Sequence, residues 1–369
     1  MRLLGWLEQR FNLTEMMSFL ASFGVLPAEL DTRRPVREAV DEAMRRPLPS
    51  YARWPRVLGL VSFVLFLFLA GTGALLVFYY QPTEAEAYRA TTSIVRDVSF
   101  GWFVHQMHRW SARLLLAILF VRLWRFAFQG MYRSPREALW GVALLTFLAA
   151  THADLTGQLL PMTTTGYWTS VRALEVLYAL PGLGPVFAFL IGGSTIDSLM
   201  LTRFYVLHVG FLPAILVLLF YLHFNGVRRV GLSSLPRESG SPGETPKVQM
   251  YNMVILIALI FGGLVTLVTL LPASFQAAAD PTATPPGTRP PWYLLAPHGL
   301  IELFPAWLPR WTGGLAVELI LLGLVLLPFI DRSRGRTAGE RRGAIVAVAL
   351  VLLLWAALTW HGYALEVRR

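Results

Sequence analysis

Seven apolar runs, each long enough to cross a hydrocarbon layer of ~30 Å, restrict what this chain can fold into more than any other property. They cover roughly 57–80, 103–127, 137–157, 200–225, 250–272, 312–331 and 343–362. A backbone removed from water must satisfy its own hydrogen bonds, and a single helix does so within one segment. The runs are far longer than strands, so the predicted fold is all-α, a polytopic bundle of seven transmembrane helices. The charged fraction agrees: 15% of the 369 residues, where soluble domains carry about 25%.

The net charge of +10 suggests nucleic acid until its placement is considered. Arg33, Arg34, Arg37, Arg45, Arg46, Arg53 and Arg56 precede the first run. Arg133 and Arg136 follow the second, Arg228, Arg229, Arg237 and Lys247 the fourth, and Arg332, Arg334, Arg336, Arg341 and Arg342 the sixth. With seven alternating spans these segments all fall on one side, and the opposite loops are sparse, with Arg89, Arg96, Arg172, Arg289 and Arg310. Cytoplasmic loops carry such an excess. The expectation is a multi-pass protein of the cell inner (plasma) membrane, N-terminus cytoplasmic, C-terminus outside, with lipid rather than nucleic acid around it. Met1 to Leu30 is amphipathic and has no compact apolar core with a cleavage site, so it reads as a surface helix rather than a signal peptide. The chain has no cysteine, which excludes disulfides, Cys-ligated iron–sulfur clusters and covalently attached haem within it.

Four segments follow: a cytoplasmic amphipathic stretch at 1–56, a four-helix unit at 57–230, a polar linker at 231–249 (it includes LPRESGSPGETPK), and a three-helix unit at 250–369. Two long loops, 158–199 and 273–311, fall on the extracytoplasmic side, where long ordered loops usually serve function.

Ionisable groups inside spans are costly, and each one suggests a functional site. His108 lies early in the second span and His208 early in the fourth, at matched depth near the extracytoplasmic side. His223 follows His208 by fifteen residues, which is ~22 Å along a helix and nearly the same face. A helix so marked can serve two stacked cofactors, and neutral imidazole is the usual axial ligand of haem iron. The candidate metal ligands are therefore His108, His208 and His223. Gly59 and Gly73 repeat at fourteen residues in the first span, where a missing side chain admits either a flat macrocycle or a neighbouring helix.

At this point the chain resembles cytochrome b of the quinol–cytochrome c reductase (Rieske/cytochrome b) family. TGALLVFYYQP (72–82), VSFGWFVHQMH (98–108), MYRSPREALW (131–140), LTRFYVLH (201–208), HFNGVRRVGLS (223–233) and ADPTATPPGTRPPWY (279–293) carry the resemblance, over about residues 50–365. GQLLP and GYW (157–161 and 166–168) add to it. The fifteen-residue spacing in the fourth span is closest to the branch of photosynthetic and menaquinol-using complexes, whose last three spans are often a separate subunit. The resemblance implies haem b, with His108 at the low-potential haem, Arg203 as a partner for a haem propionate, and Gly157 as the second glycine of span three. It also implies quinol oxidation between the Trp292–Tyr293 loop and the end of the third span. A quinone near His223, Arg228 and Arg229, a Rieske-type iron–sulfur protein, a c-type cytochrome and a homodimer complete the expectation.

The departures are as specific. The position fourteen residues after His108, where the family has another histidine, is Arg122. The second haem is then absent, five-coordinate, or replaced by the guanidinium, which stays protonated and ligates iron poorly. His105 replaces an arginine that usually pairs with a propionate, and Ala143 replaces the first glycine of span three. Pro291 stands at the glutamate of the family's PEWY motif, which takes a quinol proton. His298, Asp154 and Glu318 are candidate substitutes. His152 has no counterpart, and His361 reads as an interfacial hydrogen-bonding residue. The expected function is a membrane cytochrome b subunit transferring electrons from quinol. The alternatives are a haem-bearing or structural subunit of another redox supercomplex without a full Q cycle and, more remotely, a transporter.

Overall fold

The computed structural model describes residues 2–11, 58–193, 195–230, 246–331 and 339–368. Most of the linker and of the basic N-terminal stretch lies outside the described residues. Among the described residues twelve helices follow in order: α1 (Arg2–Phe11), α2 (Leu58–Val77), α3 (Ala87–Arg96), α4 (Gly101–Gln129), α5 (Glu137–Leu159), α6 (Thr164–Tyr178), α7 (Gly184–Ile191), α8, α9 (Pro246–Leu270), α10 (Trp292–Glu302), α11 (Trp311–Ile330) and α12 (Arg342–Arg368). Helix α8 begins as Ser198–Val206, widens into a π-helical turn at Leu207–Phe211, and resumes as Leu212–Val230. Pro213 has no N–H and its ring would strike the carbonyl four residues back. The widened turn relieves that clash and contains His208.

Six helices among the described residues are long and apolar enough to cross a membrane: α2, α5, α8, α9, α11 and α12. The run at 103–127 became the 29-residue α4. It is long enough, but Arg109, Arg113, Arg122 and Arg125 lower its hydropathy, so composition alone supports six spans rather than the seven expected. Helix α5 is central, with 56% of its apolar window buried against 11–22% for the other five. Those five turn large apolar side chains outward, as Leu270, Phe329 and Leu353 do, which suits a chain solvated by lipid. Between α2, α4, α5, α8 and α9 lies a core of Leu65, Phe66, Met107, Leu115, Leu119, Ala150, Phe220 and Leu264.

The end carrying His108 and His208 is hereafter the upper end. Its roof is the chain from Leu271 to Trp292. The Gln106 amide grips Ala273 twice, donating to its carbonyl at 2.7 Å and accepting from its N–H at 3.1 Å. Thr163 and Ala278 form an isolated antiparallel bridge, and Trp168 donates to the Asp280 carbonyl at 3.2 Å. This anchoring delivers α10 to the bundle, where Gly299 and Gly362 let α10 and α12 touch backbone to backbone. A Cβ on Gly299 would lie 2.3 Å from the Leu358 carbonyl oxygen, and one on Gly362 2.3 Å from that of Leu295.

At the lower end α1 lies against α5 and α8. Phe11 is buried with Val142 and Leu219, Arg10 pairs with Glu137 at 3.4 Å, and Arg229 donates to the Gln9 carbonyl at 3.1 Å. A second clasp joins the turn after α4 to α11 and α12. Tyr132 donates to Asp331 at 2.7 Å, and Arg341 donates to Tyr132 at 3.2 Å and to the Phe128 carbonyl at 3.0 Å. Arg341 and Asp331 pair at 3.6 Å with side chains 3% and 4% exposed. Burial, reinforced by the Asp331 carboxylate, pushes the Tyr132 phenol up to about 12, so it remains a donor. Gly130, at φ 61°, leaves room that a Cβ would take from the guanidinium. Breaking a buried pair strands a charge and costs about 3–5 kcal/mol, whereas replacing both members is often tolerated. Arg341→Met is therefore expected to destabilise the detergent-solubilised protein on that scale in thermal unfolding, with Asp331→Leu added on top restoring part of the loss.

Candidate cofactor site

His108 on α4 and His208 in the π turn of α8 face each other near the upper end, ring centres 6.0 Å apart and planes at 71°. Their tautomers are fixed by what their Nδ1 atoms touch. His208 Nδ1 lies 2.9 Å from the Ala153 carbonyl oxygen, which can only accept, so Nδ1 carries the proton. Thr156 Oγ1 stands 3.3 Å from the same nitrogen and gives its own hydrogen to the His152 carbonyl. Across the site, Thr72 Oγ1 lies 3.0 Å from His108 Nδ1 and donates to the Phe68 carbonyl, so it too accepts from the imidazole. Neither Nε2 has a hydrogen-bond partner among the described residues. Imidazole ligands are held in this way, one nitrogen tethered and the other presenting its lone pair.

The donor set fits an iron. A metal accepting both Nε2 atoms at ~2.0 Å would separate the ring centres by about 6 Å, which is the spacing found. The backbone makes room beside each ring. A Cβ on Gly73 would come 3.2 Å from His108 Cε1, and one on Gly157 only 2.4 Å from His208 Cε1. Gly157→Ala is therefore expected to push the His208 ring off axis and weaken haem retention roughly 10-fold, the scale typical of groups behind a metal ligand. Gly141→Ala, on the same helix with nothing within 4 Å of a new Cβ, should leave haem content unchanged.

The candidate quinol site forms where α10 meets the upper half of α5. Tyr293 donates to Asp154 Oδ2 at 3.0 Å, and Arg109 and Arg113 act on the same carboxylate electrostatically. Burial, with the Asp154 charge adding to it, raises the Tyr293 phenol well above its ordinary value, so it bears its proton. Trp292 is partly exposed beside it, its ring 5.4 Å from Phe120 and 6.2 Å from Trp355.

The other candidates are dispersed. Both Glu318 oxygens accept backbone N–H groups, from Gly182 at 2.9 and 3.1 Å and from Leu183 at 2.7 Å, so this carboxylate ties α11 to the entry of α7. His298 is buried within α10. His105 is buried beside Phe275, its Nδ1 without a partner among the described residues. Arg203 lies over Gly192, whose φ of 90° and missing Cβ accept the guanidinium. His152 stacks on Phe187 at 5.1 Å, and His361 has a buried Nε2 with no hydrogen bond among the described residues. Arg122 is bonded through its guanidinium to His223 Nε2.

Sequence reasoning missed Thr72 and Thr156. The signal was present: each hydroxyl belongs to a Thr-Gly dipeptide, 72–73 and 156–157, whose glycine faces the histidine that the threonine holds.

An all-helical bundle with spanning-length apolar helices and two tethered histidines facing one another in its interior is an integral membrane protein with a candidate cofactor site. Residues 45–231 match the family described as Cytochrome b/b6/petB, and residues 278–368 match Cytochrome b(C-terminal)/b6/petD; the chain belongs to the cytochrome b family, with both parts in one polypeptide. It is 33% identical over 205 residues to cytochrome b6 of Synechococcus sp. (strain JA-3-3Ab), covering 55% of this chain and 95% of that one. It is 31% identical over 309 residues to the cytochrome bc complex cytochrome b subunit of Chlorobaculum thiosulfatiphilum, covering 80% and 69%. Among solved structures, one titled hyperthermophilic respiratory Complex III superposes with a TM-score of 0.75 at 27% identity over 90% of each chain. The chain is accordingly a membrane cytochrome b subunit of the quinol-oxidising, electron-transferring type.

Proposed function

We propose that this subunit holds a haem b between His108 and His208 and oxidises quinol where Tyr293, Asp154 and Trp292 come together. The observation that carries the reading is the 6.0 Å opposition of two imidazoles tethered at Nδ1 and free at Nε2. A haem bound there supplies a one-electron relay. His105, with its buried free Nδ1, and Arg203 are the groups available for its propionates. Gly73 and Gly157, which lack a Cβ beside the two rings, would leave room for such a group.

For the quinol, Trp292 flanks the site and Tyr293 meets a hydroxyl. Accepting a hydrogen bond from that hydroxyl, Tyr293 can pass its own proton to Asp154, a two-link relay that replaces the direct carboxylate lost at Pro291. General bases within hydrogen-bond reach of the transferred proton do this work. Asp154 is favoured over Glu318, whose oxygens are already filled by backbone N–H groups.

The seventh crossing is α4. At 1.5 Å per residue its 29 residues reach ~43 Å, and it packs among α2, α5 and α9. With seven crossings the basic loops gather on one side, so the N-terminus is cytoplasmic, the histidine pair lies toward the extracytoplasmic face, and the membrane is the cell inner membrane. The relatives' names, a cytochrome bc complex and a respiratory Complex III, support a multi-subunit assembly. A Rieske-type iron–sulfur protein and a c-type cytochrome are the expected partners, and two copies of this chain the expected core.

The test is a redox-difference spectrum of the purified protein. A b-type signal should appear and be reduced by added quinol. A protein with no b-type signal, or one that only dithionite reduces, would sink the reading.

A further inference from the structure

We propose that the lower half of the bundle takes no haem, because Arg122 stands in the axial position and ties up His223; this rests on the reading of the upper pair as a haem site. The two levels can be compared position by position. The upper level holds Gly73, His108, Gly157 and His208. Moving fourteen residues toward the lower end along α2, α4 and α5, and fifteen along α8, gives Gly59, Arg122, Ala143 and His223. One histidine and one glycine of the upper level have no counterpart below, both at the same lower level.

The geometry of His223 is the reverse of that of a ligand. At the upper level each Nδ1 is tethered and each Nε2 is free. At the lower level Nε2 is taken by Arg122, while Nδ1 is buried with no partner among the described residues. Iron would need the nitrogen that the guanidinium occupies. Arg122 is 7% exposed, it presents donors only, and it stays protonated. Displacing it would leave a buried cation without its hydrogen-bond acceptor.

Gly59 has also ceased to act as a cradle. A Cβ there would lie 3.9 Å from Arg122 Nη2, an ordinary contact, whereas one on Gly73 would press His108 at 3.2 Å. The Ala143 methyl is buried at the third lower position. These residues fit a sealed plug and not a second tetrapyrrole, so no electron path through the lower half is derived from them.

Haem quantification on the full-length protein tests this. One haem b per chain is expected, lost in His108→Ala and kept in His223→Ala. Gly59→Ala should leave its spectrum and midpoint unchanged. Arg122→His combined with Ala143→Gly should raise the content toward two, with a second low-spin signal. A second haem in the unaltered protein would overturn the proposal, and so would a high-spin, carbon monoxide-binding one that disappears in His223→Ala. An Arg122→His/Ala143→Gly protein that folds but still holds one haem would also overturn it. If that variant fails to fold, the stoichiometry of the unaltered chain decides. Absence of any haem would refute the upper site while agreeing with a closed lower one.

Discussion

His108→Ala and His208→Ala are each expected to abolish the b-type spectrum, not merely to shift it. Both proposed ligands sit inside the apolar bundle. The nearest other histidine on α4, His105, is three residues away from His108 and packs against Phe275. Loss of either Nε2 removes half the axial set and leaves a small void beside Gly73 or Gly157, while the helices remain held by the apolar core around Leu115 and Phe220. The variants should therefore still insert and purify as helical protein, which circular dichroism would establish. Full haem retention in either variant would remove the assignment. Thr156→Val leaves the Ala153 carbonyl to orient His208 and should weaken haem binding about 10-fold or less, whereas Thr72→Val removes the hydroxyl that tethers His108 and should weaken it by about 10- to 100-fold.

Asp154→Asn is expected to slow quinol-driven haem reduction by about 10²-fold or more, the usual contribution of a positioned general base. The amide keeps the shape and can still accept from Tyr293, so haem content and dithionite reduction should not change. Tyr293→Phe breaks the first link of the same relay and should slow reduction in the same way, whereas Glu318→Gln should leave the rate alone and loosen the Gly182–Leu183 turn. Stopped-flow reduction by quinol reads all three. A normal rate in Asp154→Asn would transfer the proton to another group, and a slow rate in Glu318→Gln would point to that carboxylate.

Much of the architecture was legible because a bilayer makes strong demands on sequence. Apolar runs of spanning length become helices whatever their neighbours, and six of the seven expected runs did so without ambiguity. The seventh, α4, was harder to rank by composition because three of its four arginines act on groups inside the bundle: Arg109 and Arg113 on Asp154, and Arg122 on His223. Hydropathy counts such charges against a span, although packing gives them partners. The site was partly legible for a related reason. Residues fourteen or fifteen apart on a helix share a face, so matched histidines and glycines could be paired before any coordinates.

What spacing could not supply was the choice among chemically equal candidates. Asp154, Glu318 and His298 were equivalent in one dimension. Only packing placed Tyr293 against Asp154 and filled Glu318 with backbone N–H groups, since helix ends and loop paths decide which carboxylate meets which donor. The clasp of Tyr132, Asp331 and Arg341 joins residues 199 and 209 positions apart, beyond any local signal.

By itself the sequence determined the helical membrane bundle and the two levels of paired positions along it, and its resemblance to cytochrome b marked Arg122 as standing where that family has a histidine. The bundle and its levels follow from helix periodicity and from the cost of polar groups in lipid, which are local properties of the chain. The tertiary structure decided which nitrogens are tethered and which are free. That depends on carbonyls and hydroxyls brought from other helices to within 3 Å or so, and it tethers the upper histidines at Nδ1, as the proposed haem ligands require, and makes the lower one the partner of an arginine.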